Sequence, residues 1–273
     1  VQGNFIGTDA AGTAAIPNGT NGATISAGVN IEDNVDDTLV GGTGAGAGNL
    51  ISGNDQQGVR TFALAGIGNR LEGNLIGTDR TGTAALGNEK AGVHIDGVGV
   101  TIGGTAAGTG NTIAHNFDDG VLVISGSATG NRINRNSIFS NGVPAAVTDL
   151  GIDLVGIDGI TPNDADANND SDVGPNGLQN FPTLSGAQTN SVDTTIQGAF
   201  QSSASQSYRI EFFSNPACSL SGNGEGRTFL GATTVTTDGT GAATIAATVS
   251  PSTAGHVVTA TATNETTNDT SEF

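Results

Sequence analysis

The chain has 273 residues, 44 of them Gly, with no Met and no Trp, and sets 8 Lys plus Arg against 26 Asp plus Glu. A net charge of −18 argues against nucleic acid and anionic membranes as partners, because binding either requires Lys and Arg to neutralise phosphates. Scarce helix formers beside abundant Gly, Thr, Asn, Val and Ile exclude a helical bundle, and no apolar run approaches the ~20 residues of a membrane span.

The chain repeats itself from its first residues. Gly3-Asn4-Phe5-Ile6-Gly7-Thr8-Asp9 returns as Gly73-Asn74-Leu75-Ile76-Gly77-Thr78-Asp79, an offset of 70 (73 − 3). Val40-Gly41-Gly42-Thr43 returns as Ile102-Gly103-Gly104-Thr105, an offset of 62 (102 − 40). The first copy therefore carries eight extra residues (70 − 62), expected within residues 29–37. Repetition on this scale is the mark of a stacked solenoid. Asn49 and Asn69 are 20 apart, as are Asn54 and Asn74, which suggests one coil every 20 to 23 residues. Strands such as Gly92-Val93-His94-Ile95-Asp96 alternate, so Val93 and Ile95 should point inward, with His94 and Asp96 outward. Leu71 and Ile133 should likewise be inside, with Arg70, Glu72, Arg132 and Asn134 in solvent. Asn at successive corners can stack into ladders of side-chain amides.

Residues 1–155 read as this solenoid, 156–185 as an acidic connector and 186–273 as an antiparallel sandwich. Sandwich strands are expected at 194–200, 208–214, 228–236, 242–249 and 256–263, with Asp238-Gly239 marking a turn. Gly-Asn-x-Ile-Gly-Thr-Asp, Ile-Gly-Gly-Thr and the later Leu150-Gly151-Ile152-Asp153-Leu154 resemble the bacterial right-handed parallel β-helix repeat proteins of the pectin-lyase-like superfamily, over about the first 180 residues. Arg209-Ile210-Glu211-Phe212-Phe213, Gly224-Glu225-Gly226 and Thr270-Ser271-Glu272-Phe273 resemble the immunoglobulin-like modules appended to bacterial surface β-helix proteins. The first resemblance implies an all-β fold, a parallel β-helix, and no particular activity, since that fold hosts lyases, hydrolases, adhesins and inert stalks.

Five side chains, Asp164, Asp166, Asn168, Asp170 and Asp172, put an oxygen at every second residue of the connector. Ca²⁺ takes about six to eight hard oxygens, so this run is the candidate metal loop, set against a plain solvated linker. It departs from an EF-hand in having Asn169 where the turn Gly would be and Pro175 where the bidentate Glu would be. Asp118 and Asp119 are the candidate catalytic pair, because their counterparts in the first copy are Gln56 and Gln57. Paired carboxylates can cleave a glycosidic bond, but the Gly-His-Gly and Arg-x-Lys segments that accompany such a pair in polygalacturonases of this fold are missing. His94 and Asp96 supply two metal ligands without a third. Asp9 and Asp79 hold equivalent positions and suit a turn role. Cys218 has no partner for an internal disulfide and is either a buried thiol, the favoured reading, or an intermolecular link. Phe117 and Phe139 are expected inside the coils or their stacks.

These features favour an extracellular or cell-surface structural protein, a stalk, adhesin or filament subunit. The chain opens inside a repeat and its last module stops abruptly, so it reads as a trimmed piece. Its end strands would be free for head-to-tail self-association by strand addition. The alternatives are a polysaccharide lyase or hydrolase working in the lateral groove and a carbohydrate-binding module.

Overall fold

A computed structural model of the chain describes residues 1–19, 26–142, 148–156, 159–164, 172–219, 221–250 and 253–273. The described residues of the span 1–156 wind into a parallel β-solenoid with three faces. The first face stacks β1 (Phe5–Ile6), β4 (Leu50–Ile51), β7 (Leu75–Ile76), β10 (Thr112–Ala114) and β13 (Ser137–Phe139). The second stacks β2 (Val29–Ile31), β5 (Val59–Thr61), β8 (Val93–Ile95), β11 (Val121–Val123) and β14 (Ile152–Asp153). The third stacks β3 (Leu39–Gly41), β6 (Arg70–Glu72), β9 (Thr101–Gly103) and β12 (Arg132–Asn134). On the first and third faces one aliphatic residue per strand forms the inward row, Ile51, Ile76, Ile113 and Ile138 on one and Val40, Leu71, Ile102 and Ile133 on the other, while strands of the second face bury two, as Val93 and Ile95 do. A slip of one residue would turn such a row to the surface, which fixes the register.

The coil is longer than the Asn spacing suggests. On the third face Leu39 pairs with Arg70, Arg70 with Thr101 and Thr101 with Arg132, each step being 31 residues (70 − 39, 101 − 70, 132 − 101). The offset of 62 is therefore two coils. The interval of 20 runs from one corner to another within a coil, since Asn49 and Asn69 belong to different stacks. Alternate coils differ because a projecting loop, residues 7–16 and again 77–86, interrupts every other one. Each loop is closed by a bridge, Thr8 with Ala15 and Thr78 with Ala85.

The position of the extra residues is also corrected. Asn18 and Asn88 occupy the same corner, yet Val29 follows Asn18 by 11 residues (29 − 18) while Val93 follows Asn88 by 5 (93 − 88). Six of the eight thus lie at 19–28, partly outside the described residues, and only two between Val29 and Val40.

Two asparagine ladders run through five coils. Asn4, Asn49, Asn74, Asn111 and Asn136 each pass Nδ2–H to the next Oδ1, at 2.8–3.1 Å. Asn18, Asn54, Asn88, Asn116 and Asn141 do the same at 2.8–3.1 Å. Each Oδ1 also accepts the preceding coil's backbone N–H, as Asn136 does from Asn111 at 2.9 Å. The amide thus satisfies main chain that would otherwise be orphaned at a corner. The Ile-Gly-Gly-Thr motif follows from the same geometry. Gly41 (φ 88°) and Gly103 (φ 79°) leave the third face under the next coil, and a Cβ there would collide with the Glu72 or Asn134 carbonyl.

The second module is a sandwich of two three-stranded antiparallel sheets. One orders β15 (Thr183–Thr189), β16 (Thr194–Gln201) and β19 (Ala242–Val249); the other orders β18 (Thr228–Thr236), β17 (Ser207–Asn215) and β20 (Val257–Asn264). Ile196, Phe200 and Ile245 from the first meet Tyr208, Ile210, Phe212 and Ala262 from the second. Strand β15 begins at Thr183, ahead of the expected boundary at 186.

Where the modules meet, the sandwich closes the end of the solenoid. Gly130 N–H donates to Asp269 Oδ1 at 2.6 Å, Ile133 N–H to Thr270 Oγ1 at 3.0 Å and Arg135 N–H to Glu211 Oε2 at 2.7 Å. Glu225 accepts from Ser140 N–H at 2.9 Å and Asn141 N–H at 3.1 Å. Asn176, in the turn Pro175–Leu178, accepts from Asn131 N–H at 3.1 Å and so ends the stack at the third corner. Ile138 and Gly226 exchange two backbone hydrogen bonds of 2.9 Å. Asn134 is consequently buried, giving Nδ2–H to Thr263 Oγ1 at 3.0 Å, where solvent was expected. Thr270, Ser271 and Glu272 are buried as well, so the tail expected to be free for a neighbour is occupied within its own chain.

Candidate functional site

Asp118 and Asp119 part company at the end of the first face. Asp118 lies at the surface with Lys90 Nζ 3.3 Å from its Oδ2. Asp119 is buried and accepts the Leu150 N–H at 2.7 Å. Backbone bonds from Gly92 to Asp119 and from Gly120 to Leu150 stack Asp119 between Ala91 and Leu150, both apolar and buried. Burial, joined by the charges of Asp153, Asp149 and Asp118 and opposed by the Leu150 N–H, pushes the Asp119 carboxyl up to about 8. It therefore carries a proton at neutral pH, inside the coil rather than across a groove from its neighbour. Gln57 is buried at the same point of an earlier coil, so the position takes a polar side chain inward in both copies.

His94 and Asp96 do come together, with a third member that sequence spacing did not give. His94 Nε2 lies 3.2 Å from Asp96 Oδ1, and Arg60 donates to Asp96 Oδ2 from Nε at 3.1 Å and Nη2 at 2.8 Å. The strand register supplies the contact, since Arg60 pairs with His94 across β5 and β8. Arg60 also stacks over the Phe62 ring at 4.7 Å. His94 is buried rather than exposed, and that burial lowers its pKa and keeps the ring neutral. With both Asp96 oxygens engaged by Arg60 and His94, the cluster reads as a closed electrostatic unit.

A cleft of about 380 Å³ opens at the junction, lined by Phe139, Asn141, Asp149, Cys218, Glu225 and Arg227 among others. The Arg227 guanidinium sits 4.4 Å above the Phe139 ring, which meets His115 edge-on at 5.5 Å. Burial raises the Glu225 carboxyl against the two N–H donors of Ser140 and Asn141. Cys218 is a free, exposed thiol on the rim, not a buried one, because the chain leaves β17 there for a surface loop. Phe139 is buried at this junction as expected of it, whereas Phe117 is exposed. Beside the cleft Ser214 Oγ lies 2.8 Å from His256 Nδ1. A serine nucleophile bonds the Nε2 of its histidine and faces substrate, but Ser214 is buried and bonded to Nδ1, so this is a cross-strand structural pair. The cleft can hold a small polar ligand against an aromatic wall.

Of the acid run, Asp166, Asn168 and Asp170 lie outside the described residues. Asp164 accepts from Asn180 Nδ2 at 3.3 Å. Among the described residues no group of three or more His, Cys, Asp and Glu is placed to hold a metal ion. Asp9 and Asp79 take the expected turn role. Asp79 Oδ1 accepts the N–H groups of Thr81, Thr83 and Ala84, and Asp9 Oδ1 those of Thr13 and Ala14. These bonds hold both exposed carboxyls below their ordinary pKa, with the Thr81 hydroxyl the largest influence at Asp79 and the Thr13 N–H at Asp9.

The residues that do most at the junction, Glu211, Glu225, Asp269 and Glu272, were not singled out for it from sequence. No family model matches the chain, and no curated protein matches it.

Proposed function

We propose that the chain is a non-catalytic structural element of an extracellular or cell-surface protein, a stalk, an adhesin or a subunit of a filament. The observation that carries this reading is the pair of asparagine ladders, which tie five successive coils through a rod whose core is mainly aliphatic. Such a solenoid transmits load along its axis, because each coil contacts its neighbours over three parallel sheets. Among the described residues, Asp9, Asp79, Asp96, Asp118 and Asp119 are engaged in turns, ion pairs and a backbone cap. The motif likeness to bacterial right-handed β-helix proteins of the pectin-lyase-like superfamily, and of the sandwich to their immunoglobulin-like modules, supports the same setting. Among the described residues strands β1 and β2 each pair with another strand on one side only, and their outer edges suit the addition of a further coil, whichever molecule supplies it, whereas the outer edge of β3 is already bonded by Val1 and Gln2. Calcium bound by Asp164, Asp166, Asn168, Asp170 and Asp172 would stiffen the connector.

Electron microscopy of the native material with and without EDTA tests the proposal. Regular rods or filaments are expected, and their loosening in EDTA would assign calcium its place. Turnover of pectin, alginate or a related polymer that disappears in Asp118→Ala or Asp119→Ala would replace the structural reading with the enzymatic one. Glycan binding without turnover would point to the junction cleft.

A further inference from the structure

Glu272 ties three segments together. It is 2 % exposed, and its Oε1 accepts the Leu154 N–H at 3.1 Å while its Oε2 accepts the Thr161 N–H at 2.9 Å. One carboxyl therefore holds the C-terminal tail, the end of the last coil just after β14, and the start of the connector. The charges facing it are negative. Asp153 on β14 acts on it directly, and Asp153 Oδ1 itself accepts the Val155 and Gly156 N–H groups at 2.7 Å each. The other acids of the tail and the connector are turned to other partners, Asp269 to Gly130 and Asp164 to Asn180. Strand β20, which leads into the tail, carries no charged residue. Among the described residues no Lys, Arg or His forms an ion pair with Glu272.

Two effects oppose each other here. The two N–H donors and the Thr161 hydroxyl favour the carboxylate, whereas burial and the neighbouring Asp153 favour the acid. Burial is the larger influence and pushes the group up to about 7 from an ordinary 4.5. The neutral form suits the site, since both oxygens of a carboxylic acid keep acceptor lone pairs and neither N–H is orphaned. Ionisation leaves both bonds in place but sets a bare charge next to Asp153.

We propose that Glu272 is a proton-operated latch: neutral, it clasps the tail, the last coil and the connector, and its ionisation as pH rises loosens that three-way contact. The sign follows from linkage. A carboxyl whose value is raised in the clasped state stabilises that state fully below the unclasped value of 4.5, and the stabilisation is lost as pH rises through about 7. Between those limits the clasping equilibrium changes by up to about tenfold per pH unit.

The test uses the full chain. Carbon-13 NMR follows the Glu272 carboxyl, while amide exchange, corrected for its intrinsic base catalysis, is read at Leu154 and Thr161 from about pH 6 to about pH 8.5. The latch requires a carboxyl midpoint near 7 and a protection factor at both amides that falls roughly tenfold over that range. Gly130, bonded to Asp269 instead, should keep its protection, and Glu272→Gln should abolish the pH dependence. A midpoint near the ordinary 4.5, or protection at Leu154 and Thr161 that does not change with pH, overturns the proposal. The wild-type titration decides this even where the variant does not fold.

Discussion

The two halves of the molecule meet one requirement with different chemistry. Between coils, corner N–H groups are satisfied by neutral amides of Asn, identical from coil to coil. On the last coil the third corner still ends on an amide, Asn176, but Asn141 N–H passes to Glu225 and N–H groups beside the corners pass to Asp269, Glu211 and Glu272, reaching back across as many as 139 residues. The amide carries its own donor for the next amide, so a ladder can propagate. A carboxylate only accepts, so it can end a stack but not extend it. The choice of residue thus marks most of the contacts at the terminus of the solenoid off from the ladders of its body.

The sharpest way to break the contrast is inside the body. Asn111→Ala removes the acceptor for Asn74 N–H, the acceptor for Asn74 Nδ2 and the donor to Leu71 O, and leaves Asn136 Oδ1 short of a partner. A loss of roughly 3–5 kcal/mol is expected in denaturant unfolding, from several buried polar groups left unpaired. At the junction, Glu211→Ala strips Arg135 N–H and the Arg209 guanidinium, 2.8 Å away, of their buried acceptor. About 3 kcal/mol is expected there, and Glu211→Gln should recover part of it by keeping an acceptor for Arg135.

Asp119 sharpens the comparison through pH. Its folded value of about 8 stands above an ordinary 3.8, so the stability it contributes is complete below 3.8 and is lost as pH rises through 8. The wild-type unfolding free energy should therefore fall with a slope on the order of 1 kcal/mol per pH unit between about pH 5 and 8. Asp119→Asn should reduce that slope, leaving below pH 7 the part that Glu272 contributes, and a wild-type slope of opposite sign would refute the assignment. The smallest effect is expected in the projecting loops. Asp79→Ala should leave the unfolding midpoint unchanged while speeding amide exchange at Thr81, Thr83 and Ala84, the groups it caps.

Much of this was legible because it is periodic. Burial of Val93, Ile95, Leu71 and Ile133, the stacking of Asn, and strands 228–236 and 242–249 all follow from patterns that recur within a few residues or from one copy to the next. The coil length was misread because the repeating unit is two coils, only one of which carries the projecting loop, so the shortest Asn interval measured a path between corners. The cap was not legible for a related reason. Glu225 and Glu272 act once each, on partners 84 and 118 residues away, and a single long-range contact leaves no period in a sequence. Asp119 was found as an anomaly between copies, but its direction was set by the Leu150 N–H of the next coil.

Amide hydrogen exchange resolved to single residues tests the central claim most directly, by comparing the last coil with the body. If the sandwich caps the solenoid, Gly130, Ile133, Arg135, Ser140 and Asn141 will be protected to the same order as Asn74 and Asn111 in the ladder interior. Rapid exchange at those five amides, with Asn74 and Asn111 still protected, would show that the end of the solenoid is open and that the carboxylates do not close it.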